Sequence, residues 1–68
     1  MFNRNLFKAE VIKAGMTLEQ IAGALGVNIA TLYRKLNGES DFTRNEIALF
    51  KDYLKLEISE IDAIFFAE

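Results

Sequence analysis

The chain has no cysteine, no histidine and no proline, and only four glycines in 68 residues. The first two absences exclude a disulfide, thiolate chemistry and any zinc site built from Cys and His. Without proline, no helix is interrupted by a fixed backbone ring. Long hydrophobic runs are also missing. Charged residues recur every few positions, so neither a transmembrane span nor a signal peptide is expected, and the expected location is cytoplasmic. An excess of basic charge is lacking too. The formal charge of −2 argues at first sight against a nucleic-acid partner, because Lys and Arg neutralising backbone phosphates supply most non-specific affinity.

What is present is apolar spacing and an uneven charge distribution. Hydrophobic residues make up 51% of the chain, enough for a helical bundle. A chain this short holds one domain, spanning 1–68, and domains of this size fold alone although they bury a smaller share of their surface than large ones. Residues 1–38 carry five basic residues against two acidic ones, whereas residues 39–68 carry three against eight. Such a cationic half and anionic half would orient the protein on a phosphate surface.

The helical period predicts a first helix from near Asn3 or Asn5 to Gly15, with Phe7, Val11 and Ala14 in one stripe and Leu6 and Ile12 beside it. The turn that follows is short, which predicts direct contact between the first two helices. Thr17 and Gln20 have the spacing of a capping box, with Met16 and Ile21 as the hydrophobic staple. Ile21, Ala22 and Leu25 then point inward until Gly26 supplies a left-handed stop. Gly23, inside this helix, costs about 1 kcal/mol relative to alanine, and close packing is the only reason the sequence offers for it. Asn28 caps the next helix, with Val27 and Leu32 as staple, and Asn37-Gly38 ends it.

That helix, Ile29 to Leu36, is too short to be stable alone and must be held by packing. Leu32 and Leu36 are its anchors. Ile29, Ala30, Tyr33, Arg34 and Lys35 then lie toward the other side or the flanks. Ala22 is small enough to let the two helices cross closely. After the polar Glu39-Ser40-Asp41 loop, Thr43 with Glu46 and Phe42 with Ile47 mark a helix running to about Leu54, with Ile47, Phe50 and Leu54 inward. Leu49 and Tyr53 fall on a neighbouring face. Ser59 with Asp62 is expected to open a last short helix that buries Ile61, Ile64 and Phe65 and leaves Phe66 over.

The stretch TLEQIAGALGVNIATLYRKLNG, Thr17 to Gly38, resembles the helix-turn-helix of phage Cro and repressor proteins, the xenobiotic-response-element family, at Ala22, Gly26, Leu32, Asn37 and Gly38. TLYRKLNG is similar to small phage and prophage regulators of Gram-positive bacteria. The resemblance implies an all-α, five-helix lambda-repressor-like domain that binds double-stranded DNA with the helix at about 29–36 in the major groove. Two positions depart from the family pattern. Many members place an apolar residue where this chain has Lys35, whose stem can lie on apolar surface while its ammonium reaches water. Well-studied members place polar base readers where this chain has Ile29 and Ala30.

Arg34 is the leading candidate for base contact, since a guanidinium donates two parallel bonds to guanine O6 and N7; a solvated arginine or a phosphate contact is the alternative. Ile29 and Ala30 occupy positions that in the resembling family enter the groove, where they would touch a thymine methyl, unless Ile29 is partial core. Asn28 is first a cap, and in the family that position also contacts backbone or bases. Tyr33 is within reach of phosphate or sugar, and Thr31 reads as a local helix hydroxyl. Lys35 and Arg44 are expected phosphate partners. Asn37 matches the family's asparagine beside the phosphates, although capping its own turn explains it equally. Thr17 and Gln20, with the amides of their helix's first turn, offer another anion site. All of these would position the protein more than specify sequence.

Phe42, Phe50 and Phe65 are core residues by pattern. Leu49, Tyr53 and Phe66, if exposed together, would form an interface patch; made self-complementary it gives a two-fold homodimer, with recognition helices about 34 Å apart. The alternative is a tail packed on its own bundle. Two functions follow. The first is a sequence-specific DNA-binding transcriptional regulator of phage or prophage type. The second is a protein-binding module of the same fold, antirepressor-like, that engages a repressor rather than DNA; the net negative charge and the apolar Ile29 and Ala30 motivate it. No cofactor is implied. An enzyme is not indicated, because no carboxylate pair, nucleophile or metal cluster has the spacing that chemistry needs.

Overall fold

The first four helix starts in this chain are set by the side chain just before each of them. In the computed structural model, which describes residues 1–67, Asn3 Oδ1 accepts the Leu6 N–H at 3.0 Å and starts α1 (Arg4–Lys13). Thr17 and Gln20 bond reciprocally, side chain to backbone, at 3.1 and 2.8 Å to start α2 (Leu18–Leu25). Asn28 Oδ1 accepts the Thr31 N–H at 2.8 Å to start α3 (Ile29–Leu36). Thr43 and Glu46 repeat the reciprocal pair for α4 (Arg44–Leu54). Each of these bonds satisfies an amide that a helix start otherwise leaves without a partner.

Helix ends follow one rule as well. After each of α1 to α4 a residue takes a left-handed conformation, and two backbone bonds close the turn as a Schellman motif. After α2, for example, the Val27 N–H donates to the Ala22 carbonyl and the Gly26 N–H to the Gly23 carbonyl, at 3.0 and 3.2 Å. Gly15, Gly26 and Gly38 take the left-handed position in three of the turns, and Lys55, at φ 57°, takes it in the fourth. Lys55 pays for its side chain there, since a Cβ crowds the carbonyl in that region. The stop is therefore a tertiary product: Leu56, next in the chain, is buried and pins the turn from the far side.

The last helix starts earlier than the Ser59–Asp62 spacing predicts. Glu60 Oε1 accepts the Glu57 N–H at 2.8 Å, and α5 (Ile58–Ile61) begins two residues before that register. It continues as a π-helical segment, Asp62–Phe66. The wider turn leaves Ile61, Ile64 and Phe65 all buried and Phe66 out, as the apolar pattern required. The Ile64 carbonyl accepts the Asn3 N–H at 2.6 Å, tying the two ends of the described chain together.

The core is an aromatic stack surrounded by aliphatic side chains. Phe7 and Phe50 lie face to face, with centroids 4.3 Å apart and planes 11° from parallel, and Phe65 meets both edge-on. Phe2 and Phe42 close the cluster on one side. Val11, Ile21, Ala22, Leu25, Leu32, Leu36, Leu56, Ile61 and Ile64 complete it. Such aromatic pairs contribute about 0.5–1.5 kcal/mol each beyond area burial.

α1 makes its most extensive helix contact with the π-helical segment, and α2 makes its own with α3 and α4. Two expectations about packing are corrected. The first is that Ala14 continues the inward stripe of α1: it is exposed, because α1 ends at Lys13 before the stripe reaches it. The second is that close packing explains Gly23. A Cβ built there meets nothing within 4 Å, and the residue faces solvent. The chain is all-helical among the described residues, with no strand, and no described helix is long and apolar enough to cross a membrane.

Candidate nucleic-acid interface

Helix α3 is eight residues long, and its stability comes from three inward side chains. Leu32 and Leu36 are 0% and 3% exposed. With these turned in, the helical period brings Ala30, Tyr33, Arg34 and Asn37 to the opposite side at i, i+3, i+4 and i+7, and all four are exposed. Asn28, at the head of the helix, is exposed beside them. Arg34 has no ion-pair partner among the described residues. The result is a two-turn rod whose outer face holds one methyl, one phenol, one guanidinium and one carboxamide.

The third inward side chain is Lys35, and here the structure overturns an expectation. Lys35 was expected to reach a phosphate, yet it is buried, with 7% exposure. Its Nζ donates to the Asp41 carbonyl at 2.8 Å and lies 3.0 Å from Glu46 Oε1. The ammonium also sits 5.8 Å from the centre of the Phe42 ring. At about 100° per residue, Lys35 lies only about 60° around the helix from Leu32, on the flank that meets α4. Once α4 covers that flank the ammonium loses water and must find acceptors in the protein.

Glu46 therefore has two tasks. Its carboxylate accepts the Thr43 N–H, completing the cap of α4, and it neutralises Lys35. Burial pushes its carboxyl up; the bond from the Thr43 backbone and the Lys35 ammonium together outweigh this and hold it below the usual glutamate range. The pair locks the end of α3 to the start of α4 and spans the loop between them. The cue in the sequence was a lysine at an inward position of one helix and a capping glutamate in the first turn of the next. Neither residue alone indicates the other.

The remaining candidates divide by position. Ile29 is half-buried against the core, so its partial-core reading applies. Asn28 is exposed, and its side-chain oxygen is already the α3 cap. Asn37 is exposed and is the last residue before the Gly38 turn. Thr17 and Gln20 are exposed at the start of α2, but each already accepts the other's amide. The free amides there are those of Leu18 and Glu19, and the Glu19 carboxylate opposes any anion that approaches them.

Arg44 does not join the α3 surface. It precedes Glu46 by two residues and so leaves α4 about 200° around the helix from the side that meets Lys35. There it lines an open hollow with Phe42, Ile47, Ala48, Lys51 and Phe66. The anticipated patch of Leu49, Tyr53 and Phe66 also divides. All three are exposed, at 37%, 43% and 58%, but Leu49 and Tyr53 lie on the opposite flank of α4 from the strip beside Phe66. The alternation of apolar residues could not show this, because it does not say where a tail folds back.

Comparison of the chain with protein-family models, with curated proteins and with solved structures finds no match.

Proposed function

We propose that the protein is a sequence-specific DNA-binding transcriptional regulator of the phage or prophage type, with α2 and α3 forming a lambda-repressor-like helix-turn-helix and α3 entering the major groove. The observation that carries the reading is the outer face of α3. A short helix anchored by two leucines and a buried ion pair presents Ala30, Tyr33, Arg34 and Asn37 outward. A rigidly held helix with a free guanidinium suits a wide groove, because bidentate bonds to guanine discriminate only if the helix is fixed in place. Arg34 is the base reader. Tyr33 and Asn37 contact phosphate or sugar, and Ala30 meets a thymine methyl.

The test is a gel shift on DNA from the gene's own neighbourhood, with a salt titration. Binding falls as salt rises, and Arg34→Ala weakens the preferred site by about 1–3 kcal/mol while changing binding to random DNA less. Equal loss on both kinds of DNA refutes base readout.

One observation favours a second reading, a protein-binding module of antirepressor type. With Lys35 withdrawn into Glu46, α3 presents a single cation, which is little for a phosphate surface. Co-purification with a repressor, together with no response to Arg34→Ala, selects that reading.

A further inference from the structure

The acidic half of the chain contains three basic residues, Arg44, Lys51 and Lys55, and they recur at i, i+7 and i+11 along one strip of α4 and its end. Between the first two sits Ala48, whose small side chain leaves the strip open. Beside it is a hollow of about 440 Å³ whose other walls are Phe42, Ile47 and the exposed ring of Phe66. Phe42, Ile47 and Phe66 also border a second hollow, of about 330 Å³, that runs on past Phe2 and Met1 to Asp41. Together they form an apolar groove with two cations along one edge. Neither Arg44 nor Lys51 has an ion-pair partner among the described residues.

We propose that this groove docks an acidic amphipathic segment of another protein, with aromatic or aliphatic side chains in the hollow and carboxylates against Arg44 and Lys51. This surface is separate from the outer face of α3 and does not depend on the DNA reading. The chemistry selects the occupant. A duplex would meet the two cations but keeps its bases stacked inside and away from Phe42, Ile47 and Phe66, whereas a helix laid in a groove supplies apolar anchors at helical spacing. A second copy in a two-fold contact centred on the Arg44 and Lys51 strip would set that strip against its own like charges. Asp41 at the far end repels carboxylates, so the acidic flank of the segment lies at the α4 edge and its neutral end toward Met1.

The test uses fluorescence anisotropy with a labelled amphipathic peptide, leucine and phenylalanine on one face and glutamate on the other, beside its lysine counterpart. The glutamate peptide binds and the lysine peptide does not. Arg44→Glu with Lys51→Glu lowers affinity about tenfold, since each exposed charge contact contributes modestly. Ala48→Trp, at an exposed position, fills the hollow and abolishes binding without changing charge, and circular dichroism checks that both variants stay folded. Equal binding of the two peptides, indifference to Ala48→Trp, or sedimentation showing self-association through this strip overturns the proposal.

Discussion

Removing the Glu46 carboxylate tests most directly whether the Lys35–Glu46 pair holds α3 in place. Glu46→Ala leaves the Lys35 ammonium buried with only the Asp41 carbonyl as acceptor, and it deletes half of the α4 capping box. Breaking a buried pair from one side costs about 3–5 kcal/mol. The remaining carbonyl bond moves the loss toward the lower end, and the missing cap adds back up to about 1 kcal/mol. The expected total is about 3 kcal/mol, equivalent to a fall in melting temperature of more than about 10 °C for a domain of this size. Because such small domains have only about 3–5 kcal/mol to lose, the variant should be close to unfolded at room temperature.

Lys35→Met is the informative contrast. It removes the buried cation but keeps an apolar side chain against Phe42, and Glu46 retains both bonds to Thr43. The Glu46 carboxylate loses its ammonium but keeps the Thr43 N–H, so the loss should be smaller than for Glu46→Ala, about 1–2 kcal/mol. Urea titrations followed by circular dichroism, with the double variant closing the cycle, separate the pair from the cap. Equal losses for the two single variants, or a loss under about 1 kcal/mol for Glu46→Ala, would refute the reasoning.

Two further outcomes follow from the same geometry. Because the Glu46 carboxyl is held below its ordinary range, its contribution is complete above the unfolded-state value of about 4.3 and is lost as pH falls through the lower folded value. Urea midpoints measured from neutral pH to about pH 3 should drop more steeply in the natural protein than in Glu46→Gln. At two backbone positions substitution should raise stability. Gly23→Ala adds about 1 kcal/mol, since the position is helical and open, and Lys55→Gly adds up to about 1 kcal/mol by relieving its left-handed conformation. Thermal melts read both, and no gain at either position would contradict the backbone reading.

The parts of the fold that could be read from the sequence were those set by near neighbours. Thr17 with Gln20, Asn28, and Thr43 with Glu46 each bond within three residues, so chain spacing alone predicts them. The glycine stops at Gly15, Gly26 and Gly38 are equally local. What failed depends on distant parts of the chain. The end of α4 near Leu54 was expected, but not that Lys55 would take the left-handed position beside a buried Leu56. Phe2 joins the aromatic cluster although nothing around it in sequence marks it as core. Lys35 and Glu46 meet across a loop, and only α4 docking makes the lysine internal.

The same division runs through the candidate site. The outer face of α3 is a matter of helical period, so Ala30, Tyr33 and Arg34 were legible together; Ile29 and Lys35, grouped with them by the same period, turn toward the core, and Asn37 was read separately as a turn residue. Arg44 and Phe66 were assigned by residue type, and their true neighbours follow from how the π-helical segment returns to α4.

The central claim concerns that outer face, and amide chemical shifts read it residue by residue. During titration with a duplex that the protein retards in gels, the amides of Asn28, Ala30, Tyr33, Arg34 and Asn37 should shift first and furthest. Shifts concentrated along Arg44, Ala48 and Lys51, with α3 unmoved, would contradict it.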